Sequence, residues 1–137
     1  MTSSRAEKLI KWLLLVAGGM AATAVVPMVM PTDWMEAVND RLGLGPFPRS
    51  TLTEYLTRSL SAVYALFGAL TIHLGLNVRR YLDLIVVVAR LTIVLGVVLT
   101  VLDASIGMPA SWTWGEGPPT VVFGLALVWL ARRAREG

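Results

Sequence analysis

Cysteine is absent from all 137 positions, and a single histidine, His73, is present. The first absence excludes disulfides, thiolate metal ligands, iron–sulfur clusters and cysteine nucleophiles. The second excludes a bis-histidine haem or a multi-histidine metal site within one chain. Charge is scarce as well: 15% of residues are Asp, Glu, Lys or Arg, against roughly 25% in soluble globular domains. Hydrophobic residues make up 55% of the chain and the mean hydropathy is +0.67, which a soluble chain this short cannot bury. Composition therefore predicts a membrane protein forming one domain over 1–137. The net charge of +3 does not point to nucleic acid, because the basic residues flank apolar runs, where anionic lipid headgroups would meet them.

Four apolar runs stand out: Trp12–Met30, about Leu56–Leu76, Leu84–Leu102 and about Pro118–Ala131. Runs of this length favour spanning helices, since an open sheet edge cannot sit in lipid. The first also has signal-peptide features, Lys8 and Lys11 ahead of it and "ATA" at 22–24, but its apolar stretch continues past that site and reads as a span. The predicted fold class is all-α, a polytopic membrane protein with four transmembrane helices in an antiparallel bundle. Arg5, Lys8 and Lys11 precede span one, Arg79 and Arg80 separate spans two and three, and Arg132, Arg133 and Arg135 follow span four. The positive-inside rule puts these residues and both termini in the cytoplasm of a bacterial inner membrane. Asp33, Glu36, Asp40, Glu54, Asp103 and Glu116 then fall outside.

The outer connections carry helix signals. "TDWMEAVNDRLGLG" offers Asp33 as an N-cap with Glu36 three residues on, and Trp34, Met35, Val38 and Leu42 along one face. A short outer amphipathic helix between helices one and two is expected. "STLTEY" places Thr51 at an N-cap and Glu54 at the capping-box position. Small residues recur at helical spacing in every span: Gly18 and Ala22 in the first; Ser61, Ala65 and Gly68 in the second; Ala89, Gly96 and Thr100 in the third; Thr120 and Gly124 in the fourth. Such stripes let helices approach closely in lipid. They serve packing within the bundle, and the stripe with Gly18 and Ala22 is the candidate face for a homo-oligomer or a partner membrane protein.

The short "NVRR" turn makes helices two and three antiparallel neighbours, setting Arg58 opposite about Thr100 and Asp103 near Tyr55. Glu54, Arg58 and Asp103, joined by Glu116 from "WTWGEGPPT", are the candidate ligand-binding residues at the outer end. The fourth run is only about 14 residues, roughly 21 Å of helix against a hydrocarbon core near 30 Å. "GEGPP" is accordingly expected as irregular backbone dipping below the interface, with Pro119 in the first helical turn and Glu116 at the helix N-terminus. Arg90 lies roughly 12 Å into helix three and reads as a snorkelling or paired intramembrane cation. His73, about one turn from the cytoplasmic end of helix two, reads as an interfacial polar residue.

No metal-ligand cluster, phosphate-cradling loop or nucleophile elbow is present, so no catalytic residue, metal or cofactor is assigned. The span layout, the "RSLSAVYALFGAL" start of helix two and the "GEGPP" ahead of helix four resemble small bacterial four-helix inner-membrane proteins of the domain-of-unknown-function type. That resemblance implies the fold and no activity. The reading is an integral membrane binding or accessory protein with an outward-facing polar pocket and membrane lipids as partners. A small homo-oligomeric transporter or channel, and an intramembrane enzyme modifying lipids through the outer carboxylates, are its rivals.

Overall fold

The computed structural model describes residues 3–136. Among the described residues every regular element is an α-helix: α1 (Ser3–Ala22), α2 (Val25–Val29), α3 (Thr32–Arg41), α4 (Thr51–Leu76), α5 (Leu82–Ile106) and α6 (Ala110–Arg135). Among the described residues three stretches are long and apolar enough to cross a membrane: Ser3–Val29, α4 and α5. Only 17% of the apolar window of α5 is buried inside the protein. Leu91, Val94, Val98 and Val101 all lie on its open surface, as they would facing lipid.

The first span is one helix with a defect rather than the unbroken run of the sequence pattern. Pro27 has no N–H to give the Thr23 carbonyl. The chain responds by tightening: the Ala24 amide reaches Ala21 O at 3.1 Å and the Val26 amide reaches Thr23 O at 2.9 Å. The Thr23 hydroxyl also donates to Met20 O at 2.6 Å.

The chain divides into two compact units. One comprises residues 14–73. Here α1 and α4 meet backbone to backbone at their glycines: a Cβ added at Gly18 would lie 2.9 Å from Gly68 O and from the Ile72 amide nitrogen. The small-residue stripe of helix one, with Gly18 and Ala22, is thus filled by the chain's own α4. The amphipathic helix between the first two spans is present as α3, with Met35 buried and Trp34 and Val38 exposed. Its start differs from expectation. Pro31, not Asp33, is the N-cap, and no side chain caps it; Asp33 lies in the first turn, where its charge still suits the helix dipole. Gly43 and Gly45, at φ 72° and 78°, end it in the left-handed region. At α4 the cap is Ser50 rather than Thr51: Ser50 Oγ accepts the Thr53 amide at 3.0 Å.

The other unit comprises residues 1–13 and 74–137. Its backbone is the antiparallel pair of α5 and α6, whose lengths of 25 and 26 residues give roughly 37 and 39 Å. Ala89 and Gly96 on α5 face Gly124 and Gly117 on α6, and a Cβ at Gly96 would lie 2.8 Å from Gly117 O. At one end of the unit three elements are tied together. Ser3 Oγ donates to Ala134 O at 2.9 Å, Arg79 pairs with Glu7 at 2.7 Å, and Arg135 pairs with Asp83. Ala6, Ile10, Val78, Ile85, Leu130 and Ala134 are buried there.

One expectation is overturned in this unit. "GEGPP" is not irregular backbone; α6 begins at Ala110 and runs through Pro118 and Pro119. The overlooked signal is "IGMPA". Gly107, at φ 76°, closes α5 by donating its amide to Asp103 O, and Pro109 presents an extended backbone that starts α6. The connection shrinks to residues 107–109. Two prolines in a helix interior leave the Trp114 and Gly115 carbonyls without helical donors. The tight seam at Gly117 holds the segment against α5, and neighbouring helices make interior prolines tolerable in membrane proteins.

Candidate functional site

The four residues expected at an outer pocket are distributed over both units: Glu54 and Arg58 in one, Asp103 and Glu116 in the other. Each has a defined local environment. Glu54 does not complete a capping box; its Oε1 accepts the Thr32 hydroxyl at 2.9 Å, pinning the start of α3 to α4. Arg58, half-buried, donates through Nη1 to the Met28 carbonyl at 2.9 Å. That carbonyl lies in α2, whose last C=O groups have no partner within the helix. In this unit, then, the polar residues act as ties between elements.

A third tie was not foreseen. Arg49 pairs with Asp33 at 2.7 Å and its Nε donates to Glu36 at 3.2 Å. Asp33 and Glu36 share a face of α3 because they are three apart. The hydrogen bond to Glu36, and then that to Asp33, raise the Arg49 guanidinium pKa above its ordinary value, which leaves it charged throughout the physiological range.

In the other unit Glu116 lies in the second turn of α6, half-buried, and its Oε2 accepts the Trp112 indole N–H at 2.7 Å. It is therefore removed from the helix N-terminus expected for it. Asp103 is different in kind. It is 5% exposed, sits in the last turn of α5, and its Oδ2 has no hydrogen-bond partner. A buried carboxylate oxygen without a donor is costly, and the C-terminal end of a helix is the wrong end for negative charge.

Arg90 is on the exposed side of α5 and makes no ion pair among the described residues. Helical side chains lean toward the N-terminal end of their helix, so an exposed Arg90 is placed as a snorkelling cation would be. His73 is also exposed.

Six serine and threonine hydroxyls on α4, α5 and α6 turn inward on their own backbones. Ser59, Thr71, Thr92, Thr100 and Thr120 each donate to the carbonyl four residues earlier, at 2.6 to 2.9 Å, and Ser105 donates to Leu102 O. Hydroxyls spent this way satisfy themselves in lipid. Among the described residues no three His, Asp or Glu side chains are grouped to hold a metal ion.

These features define an all-α protein with three membrane-capable helices and a buried, under-satisfied carboxylate. Neither a protein family, nor a curated protein, nor a solved structure matches the chain.

Proposed function

We propose that this is an inner-membrane binding or accessory protein with four transmembrane helices, both termini cytoplasmic, that engages a donor-bearing cationic group through Asp103. The fourth crossing is supported by α6 itself. It matches α5 in length, packs along it through Gly96, Gly117 and Gly124, and returns Arg135 to Asp83 at the start of α5. If α5 crosses, α6 crosses back. Arg5, Lys8, Lys11, Arg79, Arg80 and the three C-terminal arginines then share one side, which the positive-inside rule makes cytoplasmic.

Asp103 carries the functional reading. The seam residue Thr100 stands one turn before it, and a neutral side chain would pack there at lower cost. A carboxylate is useful at such a place when a cation or N–H donor arrives to meet it. A ligand bearing an ammonium group supplies both charge and hydrogen bond.

The test is ligand-linked stability of the whole protein in mild detergent. Ethanolamine and choline serve as ammonium probes, one with N–H donors and one without. Ethanolamine should raise the melting temperature of the wild type, and saturation at a hundredfold excess over Kd corresponds to about 2.7 kcal/mol. Asp103→Asn, nearly isosteric, should abolish the shift while remaining folded. A shift of equal size in Asp103→Asn, or none in the wild type with either amine, removes Asp103 from ligand binding.

A further inference from the structure

At the terminal end of the unit comprising residues 1–13 and 74–137, an open cavity of about 340 Å³ is lined by Glu7, Lys8, Lys11, Asn77, Arg79 and Arg80, with Leu76 at its edge. We propose that this cavity is a binding site for a phosphate group, carried by the headgroup of an anionic phospholipid or arriving as free phosphate. The inference does not depend on Asp103.

Charge is the first argument. Four cations against one carboxylate leave three net positive charges around the cavity, as many as the entire chain carries. Glu7 is already committed to Arg79 at 2.7 Å. Lys8, Lys11 and Arg80 make no ion pair among the described residues. Three uncompensated cations therefore repel one another across a small concave space, and an anion placed between them removes that repulsion.

Geometry is the second. Lys8 and Lys11 are three apart on α1 and project from the same face, while Arg79 and Arg80 come from the turn between α4 and α5. The Glu7–Arg79 pair holds that turn against α1, and Arg80 is steadied over the Tyr81 ring at 5.4 Å. Two independent elements are thereby fixed around one space. The positive-inside rule asks only that cations lie on this side of the membrane; it does not ask that they converge on a cavity. Arg132 and Arg133 satisfy the rule without lining it.

The cavity is at the lower end of the roughly 300–1,000 Å³ range of small-ligand sites, and its edge is apolar. Leu76 lines that edge and is exposed, and Leu9 and Trp12, next in sequence to Lys8 and Lys11, are exposed too. That arrangement suits a lipid, with the phosphate among the cations and the acyl chains along the apolar side chains, and a tryptophan at headgroup depth.

The experiment is native mass spectrometry of the full-length protein in mild detergent, titrated with phosphatidylglycerol or phosphatidylcholine of equal chain length. Two triple variants are compared, one removing cavity cations (K8Q/K11Q/R80Q) and one removing neighbouring cations (R5Q/R132Q/R133Q). Each lost cavity charge should weaken phosphatidylglycerol retention about fivefold, on the order of a hundredfold for three, and the second triple should bind like the wild type. Equal helical content and melting temperature in lipid-free detergent show that both triples fold. Should the cavity triple melt lower, Lys11→Gln alone carries the test, with a loss of about fivefold. Displacement of the lipid by millimolar inorganic phosphate would assign the site to free phosphate; retention against it would assign the lipid headgroup. Equal losses in the two triples, or phosphatidylcholine held as tightly as phosphatidylglycerol, would overturn the proposal.

Discussion

Gly18 and Gly19 are neighbours on α1, and the same substitution at each should move stability in opposite directions. An alanine is the better helix former by about 1 kcal/mol. At Gly19 nothing lies within 4 Å of the added methyl, so only that gain is felt. At Gly18 the methyl would sit 2.9 Å from Gly68 O, from the Ile72 amide nitrogen and from Ile72 Cγ1. Two of those three atoms are backbone, so relief requires the helices to move apart. Overpacking of this kind costs about 1–3 kcal/mol, which outweighs the propensity gain. The expected result is Gly18→Ala destabilised by up to about 2 kcal/mol and Gly19→Ala unchanged or stabilised by up to about 1 kcal/mol. The gap of about 2 kcal/mol is about thirtyfold in the unfolding equilibrium. Circular dichroism at 222 nm during titration of detergent-solubilised protein with sodium dodecyl sulfate reads the difference (wavelength set by peptide absorption). Equal midpoints for the two variants would refute the Gly18–Gly68 contact.

Two further outcomes bear on topology and on α6. Because the chain lacks cysteine, single cysteines at positions 44 and 79 can be probed with a membrane-impermeant thiol reagent in intact cells. Labelling is expected at 44 and not at 79, and the reverse pattern would invert the orientation. Pro119→Ala restores a backbone N–H for the Gly115 carbonyl, so the variant should be more stable by about 1–3 kcal/mol if Pro119 lies inside the helix. Were Pro119 instead in a first turn, where proline is favoured, the same change would be neutral or destabilising, and the sign in a denaturant titration decides between them.

Sequence pattern made the helices legible because lipid imposes long apolar runs, and small-residue spacing identified the faces that meet at Gly18, Gly68, Gly96 and Gly124. Individual polar partners were less legible. Glu54 sits where a capping box would need it, yet Ser50 captures the cap and Thr32 takes the carboxylate. Whether a carboxylate finds a backbone amide or a hydroxyl depends on where α3 docks, and no local pattern encodes docking. The cavity around Lys8, Lys11, Arg79 and Arg80 was hidden for the same reason. Its cations are legible one by one as topology signals, and they converge where α1 docks beside the α4–α5 turn, as the Glu7–Arg79 pair marks.

In α6 local rules and long-range packing disagree. The apolar run from Pro118 is too short to span, and interior prolines oppose helix, so irregular backbone followed from local rules alone. Three residues, Gly107, Met108 and Pro109, decide otherwise. Once Gly107 closes α5 and Pro109 turns the chain, α6 is committed to lie antiparallel beside α5 from its first residue. Ala89, Ile93, Gly96 and Thr100 then meet Gly117, Val121 and Gly124 in register. That seam runs on both sides of the prolines, so breaking the helix at 118–119 would forfeit its Gly117 end. The loss of two backbone hydrogen bonds is confined to Trp114 and Gly115, near the end of the pair. Long-range packing outweighs local propensity here because the seam is continuous and the defect is not.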